Sequence, residues 1–361
     1  MSELQLSLLV IGAVVIGVVY LYNWLQERSL RRRMQEAFGA ARDDVLLKGG
    51  VESVLADGRL EPQLVPAGPG LDDYRRREAA SPGRDIDSAD GMDPVLDYAA
   101  EIDADAPIPD SVIGELTGRM ASCGKPVRIA GLDPRGGMWE DVVRGRGGRF
   151  SRLRLSLQLV NRSGAINAAQ LAMFCDAVRG SAARIPARAA CPDTEMALQN
   201  ARGLDAFCGE VDVAIGINVI AAEDAAFSGN RIRAAAEGAG FKLEPDGVFH
   251  YHNDRRETLF TLDNHEPAPF LPESIQGIST RGLTLLLDVP RVGDGAEVLD
   301  LMLDVARHLA GELAGKLVDD NRAALSETGI ARIKEQVRSI HAAMERHGIP
   351  AGSPKALRLF S

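Results

Sequence analysis

Gly282–Pro290 reads GLTLLLDVP, and its alternation decides how the second half of this 361-residue chain folds. Leu283, Leu285, Leu287 and Val289 share one face of a strand, an apolar face that must pack under other elements. Thr284, Leu286 and Asp288 point the other way. Upstream, Val211–Ile220 reads VDVAIGINVI. Its Val211, Val213, Ile215, Ile217 and Val219 are expected inward, with Ala214, Gly216 and Asn218 outward. Small residues beside an outward Leu286 describe a shallow groove with an apolar spot, although a single exposed apolar side chain is common on any protein.

Helices should cover the inner face. The stretch IARIKEQVRSIHAAM repeats Ile330, Ile333, Val337, Ile340 and Met344 at helical spacing, with Ser326 placed to cap its start and Gly348 then Pro350 to end it. Burying each of these aliphatics contributes about 1.5–3 kcal/mol, so the stripe is explained by a core and needs no cofactor.

The same pattern occurs earlier. VLDYAAEIDADAPIPDSVIGELTGRMASCGK from Val95 lies over VDVAIGINVIAAEDAAFSGNRIRAAAEGAGF from Val211, each a strand, a turn and a short helix ending in glycine, Gly124 or Gly240. RLRLSLQLV with the helix-like INAAQLAMFCDAVRG then matches GLTLLLDVP with AEVLDLMLDVARHLAG. A short strand and a closing helix finish each copy, which points to a tandem duplication. In the first copy Arg152, Arg154, Ser156 and Gln158 alternate with leucines, so its open face is polar.

Leu4–Tyr22 carries no charge and is just long enough to cross a bilayer as a helix. Tyr20, Tyr22 and Trp24 suit one interface, and Arg28, Arg31, Arg32 and Arg33 follow at once. A cleaved signal peptide needs the opposite arrangement, with basic residues first and a small-residue exit. The expected layout is a short outer N-terminus at 1–3, a transmembrane helix at 4–24, and a basic flank and disordered tether at 25–94. An α+β unit at 95–210, a second at 211–348 and a tail at 349–361 complete it. Everything after the span should be cytoplasmic, and the arginines could also touch anionic lipid.

The net charge of −10 argues against a nucleic-acid partner. Cys123, Cys175, Cys191 and Cys208 lack paired spacing and are expected as buried thiols. GRGGRF at 145–150 lacks the lysine and helix of a phosphate loop and is expected as a hairpin turn. Asp319 and Asp320 are consecutive on a strand and face opposite sides. VFHYHND, Val248–Asp254, raises a metal question: parity puts Asp246, His250 and His252 on one face with Asp263 and His265 beside them. Residues two apart on a strand lie about 6–7 Å apart, so convergence on one ion is not automatic. An Asp246–His265 pair across the hairpin is the expected use, and a metal-dependent enzyme built on this face is the weaker reading. No nucleophile, base and orienting group come together.

The segments NVIAA (Asn218–Ala222), AGF (Ala239–Phe241), FHYH (Phe249–His252), LFTLDN (Leu259–Asn264), GLTLLLDVP, LML (Leu301–Leu303) and LVDDNR (Leu317–Arg322) fall in order over the second unit. In this order and spacing the chain resembles the ZipA family, membrane-anchored cell-division proteins that bind the C-terminal tail of FtsZ. The layout of span, basic flank, tether and domain fits as well. The resemblance implies a six-stranded antiparallel sheet with three helices on one face and a peptide groove on the other. It also implies an inner-membrane, non-enzymatic protein without cofactor; a scaffold for other division or envelope proteins is the alternative. Carried over residue by residue, the groove should be lined by Ala214, Gly216, Asp246, Asp263, His265, Thr284 and Leu286, with Arg322 at the rim. Where the family presents methionines and a phenylalanine this chain has Asp246, His265 and Leu286, and Asp263 stands at a small apolar position. The 95–210 unit lies outside the resemblance.

Overall fold

The computed structural model describes residues 92–133, 137–142, 150–222, 225–319 and 322–361. The expected span at 4–24, the flank and tether up to residue 91, the turn at 145–149 and Asp320 lie outside these residues. Among the described residues no helix is long and apolar enough to cross a membrane.

The first unit begins with β1 (Asp97–Ala104), α1 (Asp110–Met120), β2 (Val127–Leu132), β3 (Trp139–Asp141) and β4 (Arg152–Gln158). A small hairpin follows, β5 (Val160–Asn161) and β6 (Gly164–Ala165), then α2 (Ala168–Ala182), β7 (Ala187–Ala190) and α3 (Thr194–Val211). Its five-stranded sheet has the order β3-β2-β4-β1-β7, with antiparallel neighbours. Asn167 caps α2 reciprocally with Gln170, satisfying two backbone donors at the helix start.

The second unit runs β8 (Ala214–Ala221), β9 (Phe227–Ser228), α4 (Gly229–Gly238), β10 (Phe241–Leu243), β11 (Phe249–His252) and β12 (Thr258–Asn264). Then come β13 (Ser279–Thr280), β14 (Gly282–Asp288), α5 (Gly295–Leu313), β15 (Gly315–Val318), α6 (Glu327–Arg346) and α7 (Pro354–Leu359). The six-stranded antiparallel sheet has the order β10-β11-β12-β14-β8-β15. Its inward leucines, Leu283, Leu285 and Leu287, are fully buried under α5, whose Val298, Met302, Ala306 and Leu309 face them in the same core. Helix α6 packs on α5 through Ile330, Val337, Ile340 and Met344, all buried, and Ile333 is partly buried against the same core. The Ser326 hydroxyl accepts the Gly329 N–H at the start of α6, and Gly348, at φ 68°, follows its end.

The two sheets share an order of elements. In each, a first strand (β1 or β8) is followed by a helix, and a long strand (β4 or β14) pairs antiparallel with it. A long helix and a return strand (β7 or β15) on the first strand's other side come next, then a closing helix. Between the first helix and the long strand, the first sheet has β2 and β3 where the second has β10, β11 and β12. One boundary differs from the expected alternation. Val211 is the buried last residue of α3, and the strand starts at Ala214, because the chain leaves the helix at Asp212.

The units are joined by charge and by the C-terminus. The Lys125 ammonium, buried and with its pKa lowered by desolvation, donates to Asn161 Oδ1, Ser163 Oγ and the Gly164 carbonyl, holding the β5–β6 hairpin. From that hairpin Arg162 reaches Asp212 at 2.7 Å and grips Asp288 with two bonds of 2.8 Å. Burial works against its charge, but the two carboxylates outweigh it and raise its pKa. The 349–361 segment, expected as a tail, contains α7 and buries Ile349, Ala356, Leu359 and Phe360. Arg358 pairs with Asp97, Lys355 pairs with Asp93 at 2.9 Å, and Gln158 Nε2 donates to the Arg358 carbonyl at 2.9 Å.

Helix α5 ends at Ala314 in the left-handed region, φ 56° and ψ 41°. An L-residue with a Cβ pays about 1–2 kcal/mol there, and glycine does not. Ala314 is exposed, so little contact is lost on shortening it. Ala314→Gly should therefore stabilise the fold by about 1 kcal/mol in urea denaturation; a lower midpoint would show that this cap is not strained.

Candidate functional site: the open face of the second sheet

Strand register places the side chains of the uncovered face in rows. Lys242, His250, Thr261, Leu286 and Gly216 form one row across β10, β11, β12, β14 and β8. Asp263, Thr284 and Asn218 form the next, and Asp288 and Ala214 lie at the far end. Leu286 is 37% exposed, and Gly216 opposite it has no side chain to cover it. The expected groove residues Ala214, Gly216, Asp263, Thr284 and Leu286 thus lie on one surface. Thr261 and Lys242 were missed, although Thr261 has the same parity as Asp263 within LFTLDN.

The polar groups on this surface are mostly satisfied by one another. The Thr284 hydroxyl donates to Asn218 Oδ1 at 2.7 Å, so it can only accept from His265 Nδ1, 3.2 Å away, which puts that ring's proton on Nδ1. The expected Asp246–His265 pair is not formed. Asp246 instead contacts His250 Nε2 at 2.9 Å, because the turn at Gly247 (φ 83°) folds β10 tightly back onto β11. Burial opposes the Asp246 charge, but His250 and the Val248 N–H outweigh it and hold the carboxyl below its usual range. Arg322 sits exposed in the turn after β15, at φ 61°, its N–H donating to the Asp319 carbonyl.

His250 and His252 stack with ring centroids 5.8 Å apart, and Glu244 lies 4.0 Å from the first and 3.5 Å from the second. The His250 Nδ1 contacts Thr258 Oγ1 at 3.3 Å. Among the described residues no group of three or more His, Cys, Asp or Glu side chains is arranged to hold a metal ion. Phe249 and Tyr251 turn inward, Phe249 tilted against Phe270 and Tyr251 stacked on Phe260.

Asp263 differs from its neighbours. It is half-buried, and among the described residues its carboxylate accepts only the N–H of Asn264, at 2.7 Å. Burial, with the nearby Asp246 charge adding to it, outweighs that bond and raises its pKa.

The first sheet presents a different surface. Arg154 pairs with Glu101 at 2.7 Å and lies over the Trp139 ring at 4.3 Å, and Arg152 reaches the same Glu101 at 3.2 Å. Ser156 and Gln158 share the polar parity but are buried, and the Arg358 backbone sits against Gln158. The thiols of Cys123, Cys175 and Cys208 are buried and Cys191 is half-buried; burial pushes Cys208 up to about 12, so it stays protonated at neutral pH.

These features define an open-faced α+β domain: helices on one side of an antiparallel sheet, and on the other a largely polar surface with one exposed leucine, Leu286. Residues 213–336 match the model of the ZipA C-terminal FtsZ-binding domain. Cell division protein ZipA of Ectopseudomonas mendocina is 30% identical over 138 residues, 37% of this chain and 50% of that protein. The ZipA proteins of Shewanella loihica (29% over 135 residues, 36% of this chain and 40% of theirs) and Pseudomonas aeruginosa (30% over 131 residues, 35% and 45%) are similar in the same way. The chain spans about half the length, or less, of the curated relatives it matches. Over its second unit the chain is similar to ZipA proteins.

Proposed function

We propose that this chain is a cell-division protein that holds FtsZ at the inner membrane, its second sheet binding the FtsZ C-terminal tail in the groove around Leu286. The observation that carries this reading is Leu286 exposed on the open face, opposite Gly216, inside the region that matches an FtsZ-binding domain. The membrane would be reached through Leu4–Tyr22, with the N-terminus outside and Arg28, Arg31, Arg32 and Arg33 against anionic lipid. Many anchors on one polymer would convert a modest single-site affinity into avid attachment. The common element order of the two sheets supports their origin by duplication, with the first unit bracing the second through Arg162 and α7.

The test is a calorimetric titration of the FtsZ tail peptide into the full chain, beside a scrambled peptide of equal composition. Saturable one-to-one binding of the tail alone is the expected result. Equal heats from both peptides would sink the reading.

A further inference from the structure

The open face carries a half-buried carboxylate, Asp263, that forms no ion pair among the described residues, whereas other carboxylates do. Asp97 has Arg358, Asp246 has His250, Asp288 and Asp212 share Arg162, and Glu101 has Arg152 and Arg154. Among the described residues, Asp263 has no cation within ion-pair distance, and its one hydrogen bond comes from the adjacent backbone. The side chains around it cannot help. Thr284 donates to Asn218, His265 turns to Thr284, and His250 is engaged by Asp246 and Thr258.

Asp263 also sits where an occupant would meet it. Thr261 lies opposite Leu286 and Asp263 opposite Thr284, so Asp263 and Leu286 are diagonal neighbours across β12 and β14. Such neighbours lie about 7–8 Å apart, a span that two nearby side chains of one peptide can cover. A half-buried carboxylate without a counter-charge lowers the stability of the free fold, and covering it with an apolar or acidic segment would lower it further.

We propose that the occupant of this groove is a peptide that sets a lysine or arginine against the Asp263 carboxylate while an apolar side chain covers Leu286. The inference rests on the groove reading above and adds the chemistry of the occupant. Acidic segments are disfavoured because Glu244, Asp246 and Asp263 lie together on the β10–β12 side. A neutral peptide would leave Asp263 desolvated and unpaired.

The experiment compares the full chain with Asp263→Asn, using the FtsZ tail peptide and variants in which each of its lysines and arginines in turn is methionine. Asp263→Asn should weaken the unaltered peptide about 5–10-fold, the range of a partly desolvated charge pair. It should leave one of the methionine variants unaffected, and added salt should weaken binding only where both charges are present. Equal weakening of every peptide, or no weakening of any, overturns the inference. Failure of the groove reading shows separately, as Leu286→Asp leaving all peptides bound as before.

A second measurement excludes simple damage to the fold. Because burial raises the Asp263 pKa in the folded state, the folded chain holds that proton more tightly than the unfolded chain. The charged form therefore penalises folding above the folded pKa, and the penalty fades as pH falls toward the unfolded value. Asp263→Asn should melt at a higher temperature than the original at neutral pH, the two converging in acid. The other charged and titratable groups on this face, Lys242, Glu244, Asp246, His250 and His265, are common to both proteins, and the like charge of Asp246 acts in the same direction as burial. A lower melting temperature at neutral pH would mean that Asp263 is structural, and would overturn the inference.

Discussion

Leu286→Asp is expected to lower affinity for the FtsZ tail by about 100-fold or more while the domain stays folded. Covering the 37% of Leu286 that remains exposed contributes about 0.5–1 kcal/mol, and an aspartate there would bring an unpaired charge into a closing interface at a cost of several kcal/mol. Together these exceed the roughly 2.7 kcal/mol that a 100-fold change requires. The fold should tolerate the change because Leu286 points away from the core formed by Leu283, Leu285 and Leu287. Calorimetry with the tail peptide reads the affinity and circular dichroism the fold. Unchanged affinity in a folded variant would remove the groove from the interface.

Arg358→Ala should produce the largest loss of stability, about 3 kcal/mol. The Asp97 side chain is fully buried and Arg358 only 16% exposed, so removing the guanidinium strands a carboxylate in the interior. Breaking one side of a buried pair typically costs about 3–5 kcal/mol, whereas replacing both partners with neutral groups of similar size is close to neutral. Asp97→Asn with Arg358→Met should therefore recover most of what the single change loses. Urea denaturation measures both. A single variant as stable as the original would mean that α7 does not hold the first sheet.

The strands and helices of the second unit were legible because each carries a period of its own. GLTLLLDVP alternates, and the stripe from Ile330 to Met344 repeats at helical spacing; both kept their predicted faces. Val211 did not, since an apolar residue at a helix end and one at a strand start look alike without the backbone. Partners between side chains were less legible. Asp246 was expected with His265 from strand parity, but the Gly247 turn delivers it to His250. Gln158 is met by the backbone of α7, 200 residues further along the chain.

Local periodicity is a property of neighbours in sequence, and it was enough to settle the open-faced α+β architecture and the outward position of Leu286. The ordered segments from Asn218 to Arg322 carried the family resemblance that the 213–336 match supports. What local periodicity could not contain was any pairing between distant segments. Arg162 between Asp212 and Asp288, Arg358 on Asp97, and the absence of a counter-charge at Asp263 all depend on which strands lie side by side. Those distances exist only after the chain has closed on itself, because they join side chains that lie far apart in sequence.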